Sequence, residues 1–284
     1  MIFLILAILA SVSVAIFLKL ARRRHIDIAQ AILVNYITAI GLCFLLLKPQ
    51  LSADVFHQGA LIFIALGLLL PSVFIIMAKA VDLVGIAKSD VAQRLALFLP
   101  ILASFTIFGE SLTLAKGVGI VLAFGSLIAL TYKPAHTHAK QSATPKATAL
   151  ILLGVWAGYG VIDVLFKQMS KLGAAFPNTL TVSFMLAFVL LFGYLLVKKT
   201  HWQGKSLASG VVLGGLNFAN ILFYIKAHQA FKDDPTLVFA GMNIGVICLG
   251  AVVGLFVFKE KLSKINGLGI ILGVLAVWCL FYLK

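Results

Sequence analysis

Charge is what this chain has least of. Charged side chains make up 11% of its 284 residues, where a soluble domain carries about 25%. Only nine are acidic, while 62% of the chain is hydrophobic. That scarcity excludes a water-soluble fold, because no globule of this size could cover its surface with so few polar groups. Cysteine is nearly absent too. Cys43, Cys248 and Cys279 lie inside apolar stretches with no paired spacing and no nearby histidine, so neither a disulfide framework nor a metal site is indicated. No glycine-rich nucleotide-binding loop of the G-x-x-x-x-G-K type occurs, which excludes ATP as the direct energy source. Histidines 25, 57, 136, 138 and 201 fall in loops or at loop edges, and His228 has no Cys or second His beside it. No intramembrane catalytic or metal constellation is expected, so the chain reads as a non-enzyme without a cofactor.

What the chain has in abundance is apolar runs. Crossing a hydrocarbon core of about 30 Å takes about 20 residues, and such stretches follow one another almost without pause. We place ten spans at residues 2–19, 28–47, 59–80, 86–108, 114–132, 148–170, 178–197, 206–230, 235–258 and 264–283. The third runs through Pro71 and the fourth through Pro100, two points where a kink can act as a hinge. The expected fold is an all-α polytopic membrane protein. Residues 133–147, KPAHTHAKQSATPKA, are the one sustained polar segment and read as a solvated linker. The excess of Lys and Arg, +14 formally, falls mostly between spans, where it orients helices rather than binding nucleic acid.

The chain also repeats itself. Residues 108–125 read FGESLTLAKGVGIVLAFG and residues 258–275 read FKEKLSKINGLGIILGVL, a match at a constant spacing of 150. Five spans per copy is an odd number, so the second copy must enter the membrane from the opposite side. The expected architecture is two inverted five-helix repeats, 1–132 and 148–284. Glu110 and Glu260 each precede a helix and read as capping carboxylates that fix a tight hairpin. Asp234 before Pro235 reads as a helix cap. Small residues spaced by four, such as Gly154/Gly158, Gly210/Gly214 and Gly269/Gly273, point to close helix packing.

Two five-helix halves, each closing with a Gly-Glu-Ser-Leu-Thr or Lys-Glu-Lys-Leu-Ser turn into a glycine-bearing last helix, resemble the EamA-type branch of the drug/metabolite transporter superfamily. The resemblance covers nearly the whole chain. It implies a carrier of small organic solutes with a central cavity, spans 5 and 10 at the periphery, and both termini in the cytoplasm. The count of basic residues in alternate loops instead puts both termini outside, so orientation stays open.

Ionisable groups at membrane depth cost about 2.5 to 3.5 kcal/mol each and mark pathways by default. Lys79 and Asp82 with Asp90 and Arg94 form one expected cluster; Lys226, His228 and Asp233 form its inverted counterpart, joined by Asp163 and Lys167. Two readings stand: snorkelling interfacial pairs, or the two gates of an alternating-access carrier, with Asp163 the proton- or cation-coupling residue. Gln93 and Asn243 occupy the same repeat position and, with Asn35, Asn217, Asn220, Trp156 and Tyr159, either line a substrate site or make interhelical hydrogen bonds. The expected function is secondary transport, as exporter or exchanger, of a small polar or amphipathic metabolite such as an amino acid across a bacterial inner membrane. The alternatives are a proton-coupled sugar or nucleoside carrier and a non-transporting receptor. Expected partners are the substrate, the lipid bilayer and a second copy docked through spans 5 and 10.

Overall fold

The computed structural model describes residues 1–50, 59–131, 145–257 and 263–282. Glu260 and most of the expected linker lie outside the described residues. The rest is helical: α1 (Ile2–Arg23), α2 (Ile28–Leu42) with a π-helical turn at Cys43–Leu47, α3 (Ala60–Val84), α4 (Ile86–Leu95), α5 (Phe98–Thr106), α6 (Leu114–Thr131), α7 (Pro145–Ser170), α8 (Phe176–Val197), α9 (Gly204–Ala230), α10 (Pro235–Phe256) and α11 (Lys264–Tyr282). Among the described residues nine helices are long and apolar enough to cross a membrane. The expected fourth span is missing from that set because it is two short helices, α4 and α5.

The chain forms two compact units, one of Met1–Ser72 with Leu165–Gln229, the other of Val73–Val164 with Ala230–Lys284. Each draws on both sequence copies. Boundaries fall inside α3, after Ser72, inside α7, after Val164, and at the end of α9, after Gln229.

In the first unit α2 lies against α8 and α9. Lipid tails are as apolar as leucine, so helices here associate by close packing rather than by escape from water. Gly210 and Gly214 show how close: a β-carbon on the former would sit 2.5 Å from the Ala31 carbonyl oxygen, and on the latter 2.5 Å from Thr38 Cβ. Beside them Asn217 Nδ2 donates to Asn35 Oδ1 at 3.1 Å. At one end the α1–α2 and α8–α9 loops are stitched together. Asp27 N–H donates to Ser206 Oγ at 2.9 Å, Gln30 Nε2 to the His201 carbonyl at 2.8 Å, and Gln203 N–H to Gln30 Oε1 at 2.8 Å. Asp27 also caps α2, its carboxylate accepting from Ala29 N–H at 2.9 Å.

In the second unit α6 and α11 pack along their lengths. Gly119 meets Leu280, Gly269 meets Leu130, and Ser126 Oγ donates to the Gly269 carbonyl at 2.7 Å. Asn266 Nδ2 holds the last carbonyls of α6, at Ala129 and Leu130 (3.0 and 3.2 Å). The glycine faces of these two helices are therefore turned to each other. Gly154 and Gly158 of α7 face Ile76 and Val73 of α3. Gly250 has open space around it, so not every glycine of the expected stripes is a contact.

Two expected caps are corrected. Glu110 does not hold its own hairpin alone: one carboxylate oxygen accepts from Thr236 N–H at 2.9 Å, which caps the N-terminus of α10, and the other lies 2.9 Å from Lys116 Nζ. Lys116 in turn reaches Asp234 at 2.8 Å. Asp234 makes no cap hydrogen bond, since its carboxylate is occupied by that lysine. The N-terminus of α6 is capped by Thr113, whose hydroxyl accepts from Lys116 N–H at 3.3 Å.

Candidate functional site

The break between α4 and α5 has a chemical cause. Proline has no N–H, and its ring clashes with the carbonyl four residues back. For Pro100 that carbonyl is Ala96, where α4 has just ended. The backbone tightens to 3₁₀-like bonding: Ala96 N–H donates to the Gln93 carbonyl, Leu97 N–H to Arg94, and Leu99 N–H to Ala96, at 3.1 to 3.3 Å. Because Leu99 has turned to Ala96, the Leu95 carbonyl loses its regular donor. Trp156 of α7 supplies one, its indole Nε1–H donating to Leu95 O at 3.0 Å. One turn further along α7, Gly160 lets the helix backbone come up to the break; a β-carbon there would lie 2.9 Å from the Ala96 carbonyl oxygen. Interrupted backbone at membrane depth is tolerated only where it is buried in protein or lines a wet cavity.

Around this break stand several of the expected residues. Asp90 and Arg94, one turn apart on α4, form an ion pair at 3.5 Å, both partly exposed. Tyr159 packs with Ala92, Ala80 and Val155 against α4. Gln93 is half-buried on the same short helix. The negative end of the α4 dipole and the indole-bonded Leu95 carbonyl lie at the residue after Arg94 in the chain, while the Arg94 guanidinium reaches back to Asp90. The arrangement offers both an acceptor end and a cation to a zwitterionic or polar solute.

Other expected residues have different surroundings. Asn243 spends an amide hydrogen on the Phe239 carbonyl of its own helix at 3.1 Å, and among the described residues no hydrogen bond joins it to Gln93. Asn35 and Asn217 satisfy each other, while the buried Asn220 Oδ1 has no hydrogen-bond partner. Lys79 and Asp82 are exposed, so the first expected cluster reduces to the Asp90–Arg94 pair. The second also divides: Lys226 Nζ lies 5.5 Å from the centre of the Phe3 ring, His228 is buried with its ring 4.8 Å from that of Tyr224, and Asp233 is exposed. Lys167 is buried in the first unit and Asp163 half-buried in the second.

Sequence reasoning missed the bond from Trp156 to Leu95 and the role of Gly160. The signal was present in Pro100, which obliges a carbonyl to seek a new donor, but nothing in the sequence said which helix would bring one.

The fold and composition define a multi-pass, all-helical membrane protein. Within that class the chain belongs to one family with an uncharacterized protein of Haemophilus influenzae, 56% identical over 286 residues that cover 99% of this chain and 97% of that one. No family model matches the chain. A crystal structure of another protein has a TM-score of 0.76, covering 99% of this chain and 96% of that one at 16% identity, so the fold recurs in a solved protein.

Proposed function

We propose that the chain is a secondary-active carrier of the EamA type, with ten spans in two inverted halves, residing in the bacterial inner membrane. It moves a small polar or amphipathic metabolite such as an amino acid, as exporter or exchanger, by alternating access. The observation that carries this reading is the interrupted helix. Discontinuous helices are where secondary carriers place their substrate sites, since half-helix ends present unpaired backbone dipoles to a solute. Here the break is flanked by Gln93, Arg94 and Trp156, and the opposite charge of Asp90 lies one turn away. Asn35, Asn217, Asn220 and Asn243 belong to helix packing in this reading, with the free Asn220 oxygen the exception.

The test is counterflow in proteoliposomes loaded with individual amino acids, sugars or nucleosides. Wild-type protein should exchange at least one of them. Gln93→Leu with Arg94→Gln should lower that exchange tenfold or more while the protein remains monodisperse and helical. Absence of counterflow with every solute class would favour a receptor role, and unchanged exchange in the double variant would remove the break from the pathway.

A further inference from the structure

The first unit is almost devoid of acid. Across Met1–Ser72 and Leu165–Gln229 the sequence holds two acidic residues, Asp27 and Asp54, of which Asp54 lies outside the described residues. Its basic residues are not spread evenly. The loop segments KLARRRHID (19–27) and KKTHWQGKS (198–206) carry seven Lys or Arg and two His. They are 171 or more residues apart in sequence, yet the Gln30–His201, Gln30–Gln203 and Asp27–Ser206 hydrogen bonds hold them at one end of this unit. The single carboxylate nearby, Asp27, is occupied by Ala29 N–H, Gln30 N–H and Gln30 Nε2 (2.9, 3.3 and 3.0 Å). Arg24, His25, Lys198, Lys199, His201 and Lys205 are exposed, and Arg24, Lys198, Lys199 and Lys205 have no acidic partner among the described residues.

Both loops are shaped as well as charged. His25 and Lys199 adopt left-handed backbone, φ 55° and 50°, an uncommon conformation for residues with side chains. Each lies two residues past the end of its helix, α1 or α8. Trp202, 43% exposed, follows the Lys198–Lys199 pair by three residues in the chain, its ring 6.2 Å from that of Phe192 on α8. Leu196 and Val197 are exposed where α8 ends. Exposed aliphatic residues, an amphipathic aromatic and exposed cations on two hydrogen-bonded loops at the end of four spans make the composition of a headgroup-and-acyl site at a membrane surface.

We propose that this loop pair binds an anionic phospholipid: the phosphate and its neighbouring oxygens lie among Arg24, Lys198, Lys199 and Lys205, and the glycerol and upper acyl chain lie against Trp202 and Val197. The site is independent of the transport reading. Its partner is the lipid of the surrounding leaflet, since the exposed cations lie at the ends of spans and the exposed Leu196, Val197 and Trp202 have no use for a free ion.

The test uses the full chain in phosphatidylcholine nanodiscs titrated with phosphatidylglycerol or cardiolipin. Lipid retention is read by native mass spectrometry and stability by thermal unfolding. Anionic lipid should be retained preferentially and raise the unfolding midpoint. Arg24→Gln with Lys198→Gln, Lys199→Gln and Lys205→Gln should weaken retention tenfold or more. A variant losing the same number of charges elsewhere, Lys79→Gln, Lys88→Gln, Lys232→Gln and Lys264→Gln, should retain lipid as wild type does. Equal loss in both variants, no preference for anionic over zwitterionic lipid, or a midpoint shift reproduced by inorganic phosphate alone would overturn the proposal. If the fourfold variant does not fold, Trp202→Ala alone should still lower retention in the wild-type charge background, and unchanged retention there would count against the site.

Discussion

The helix α4–α5 and the helix α10 occupy the same positions in the two sequence copies, yet only one of them is broken. At the spacing of 150, Pro100 corresponds to Gly250, Gln93 to Asn243, Asp90 to Ala240 and Arg94 to Ile244. The first copy stops at Leu95 and restarts at Phe98, whereas the second runs unbroken from Pro235 to Phe256. Gly250 keeps the N–H that Pro100 lacks, so the ladder continues past it. The ends differ as well. The N-terminus of α10 is capped by Glu110, itself paired with Lys116, while α4 starts at Gly85 with φ 88° and no side-chain cap. One copy has become a fixed strut; the other has kept charge, a break and a loose start. A repeat in sequence is therefore not a repeat in local structure, and under the proposed function the solute site falls in the first copy.

The largest expected effect transplants the break. Gly250→Pro should remove the bond to the Val246 carbonyl and cost about 3 kcal/mol. Thermal or denaturant unfolding in micelles reads this directly. A loss below about 1 kcal/mol would mean that α10 is as tolerant of interruption as α4–α5, and the contrast between them would fall.

A smaller effect isolates the compensation at the existing break. Trp156→Phe leaves the Leu95 carbonyl without its donor; the bond lies at the protein's surface, so the expected loss is that of an ordinary hydrogen bond, about 0.5 to 1.5 kcal/mol. In a Pro100→Ala background Leu99 can return to Leu95, and the same substitution should then cost about half as much or less. A double-mutant cycle measures that coupling. Equal costs in both backgrounds would show that Trp156 acts through packing alone.

How much of this could be read in advance depends on the range of the interaction. Membrane embedding and helix limits followed from composition and run length, because they depend on neighbouring residues alone. The end of α3 at Val84 rather than Ala80 and the reach of α1 to Arg23 are small extensions by polar turns that hydropathy does not register. The break was legible as a kink at Pro100 and underestimated, since whether a proline bends or divides a helix depends on what rescues its carbonyls. Pro71 lies within the continuous α3, where Ser72 Oγ donates to the Leu68 carbonyl at 2.6 Å. Glu110 was rightly taken for a capping carboxylate and assigned to the wrong helix. Its partner Thr236 is 126 residues away, and no local pattern encodes such a pairing. The amides divided similarly: Asn35 and Asn217 found each other across α2 and α9, a contact that depends on the close approach permitted by Gly214.

The smallest effect on stability sharpens the comparison most. Asp90 and Arg94 form a partly exposed pair one turn apart on α4, the geometry for which helix pairs contribute about 0.2 to 0.5 kcal/mol. Asp90→Asn should therefore leave the unfolding midpoint nearly unchanged. Its repeat counterpart, Ala240, is fully buried, so the second copy has no room for the same charge and no use for it as a strut. If the break is the solute site, Asp90→Asn should alter solute affinity or exchange rate severalfold despite that near-zero cost, because Asp90 holds the Arg94 guanidinium. A variant that changes neither stability nor exchange would make the pair an ornament of the interface and leave the distinction between the copies to the backbone alone.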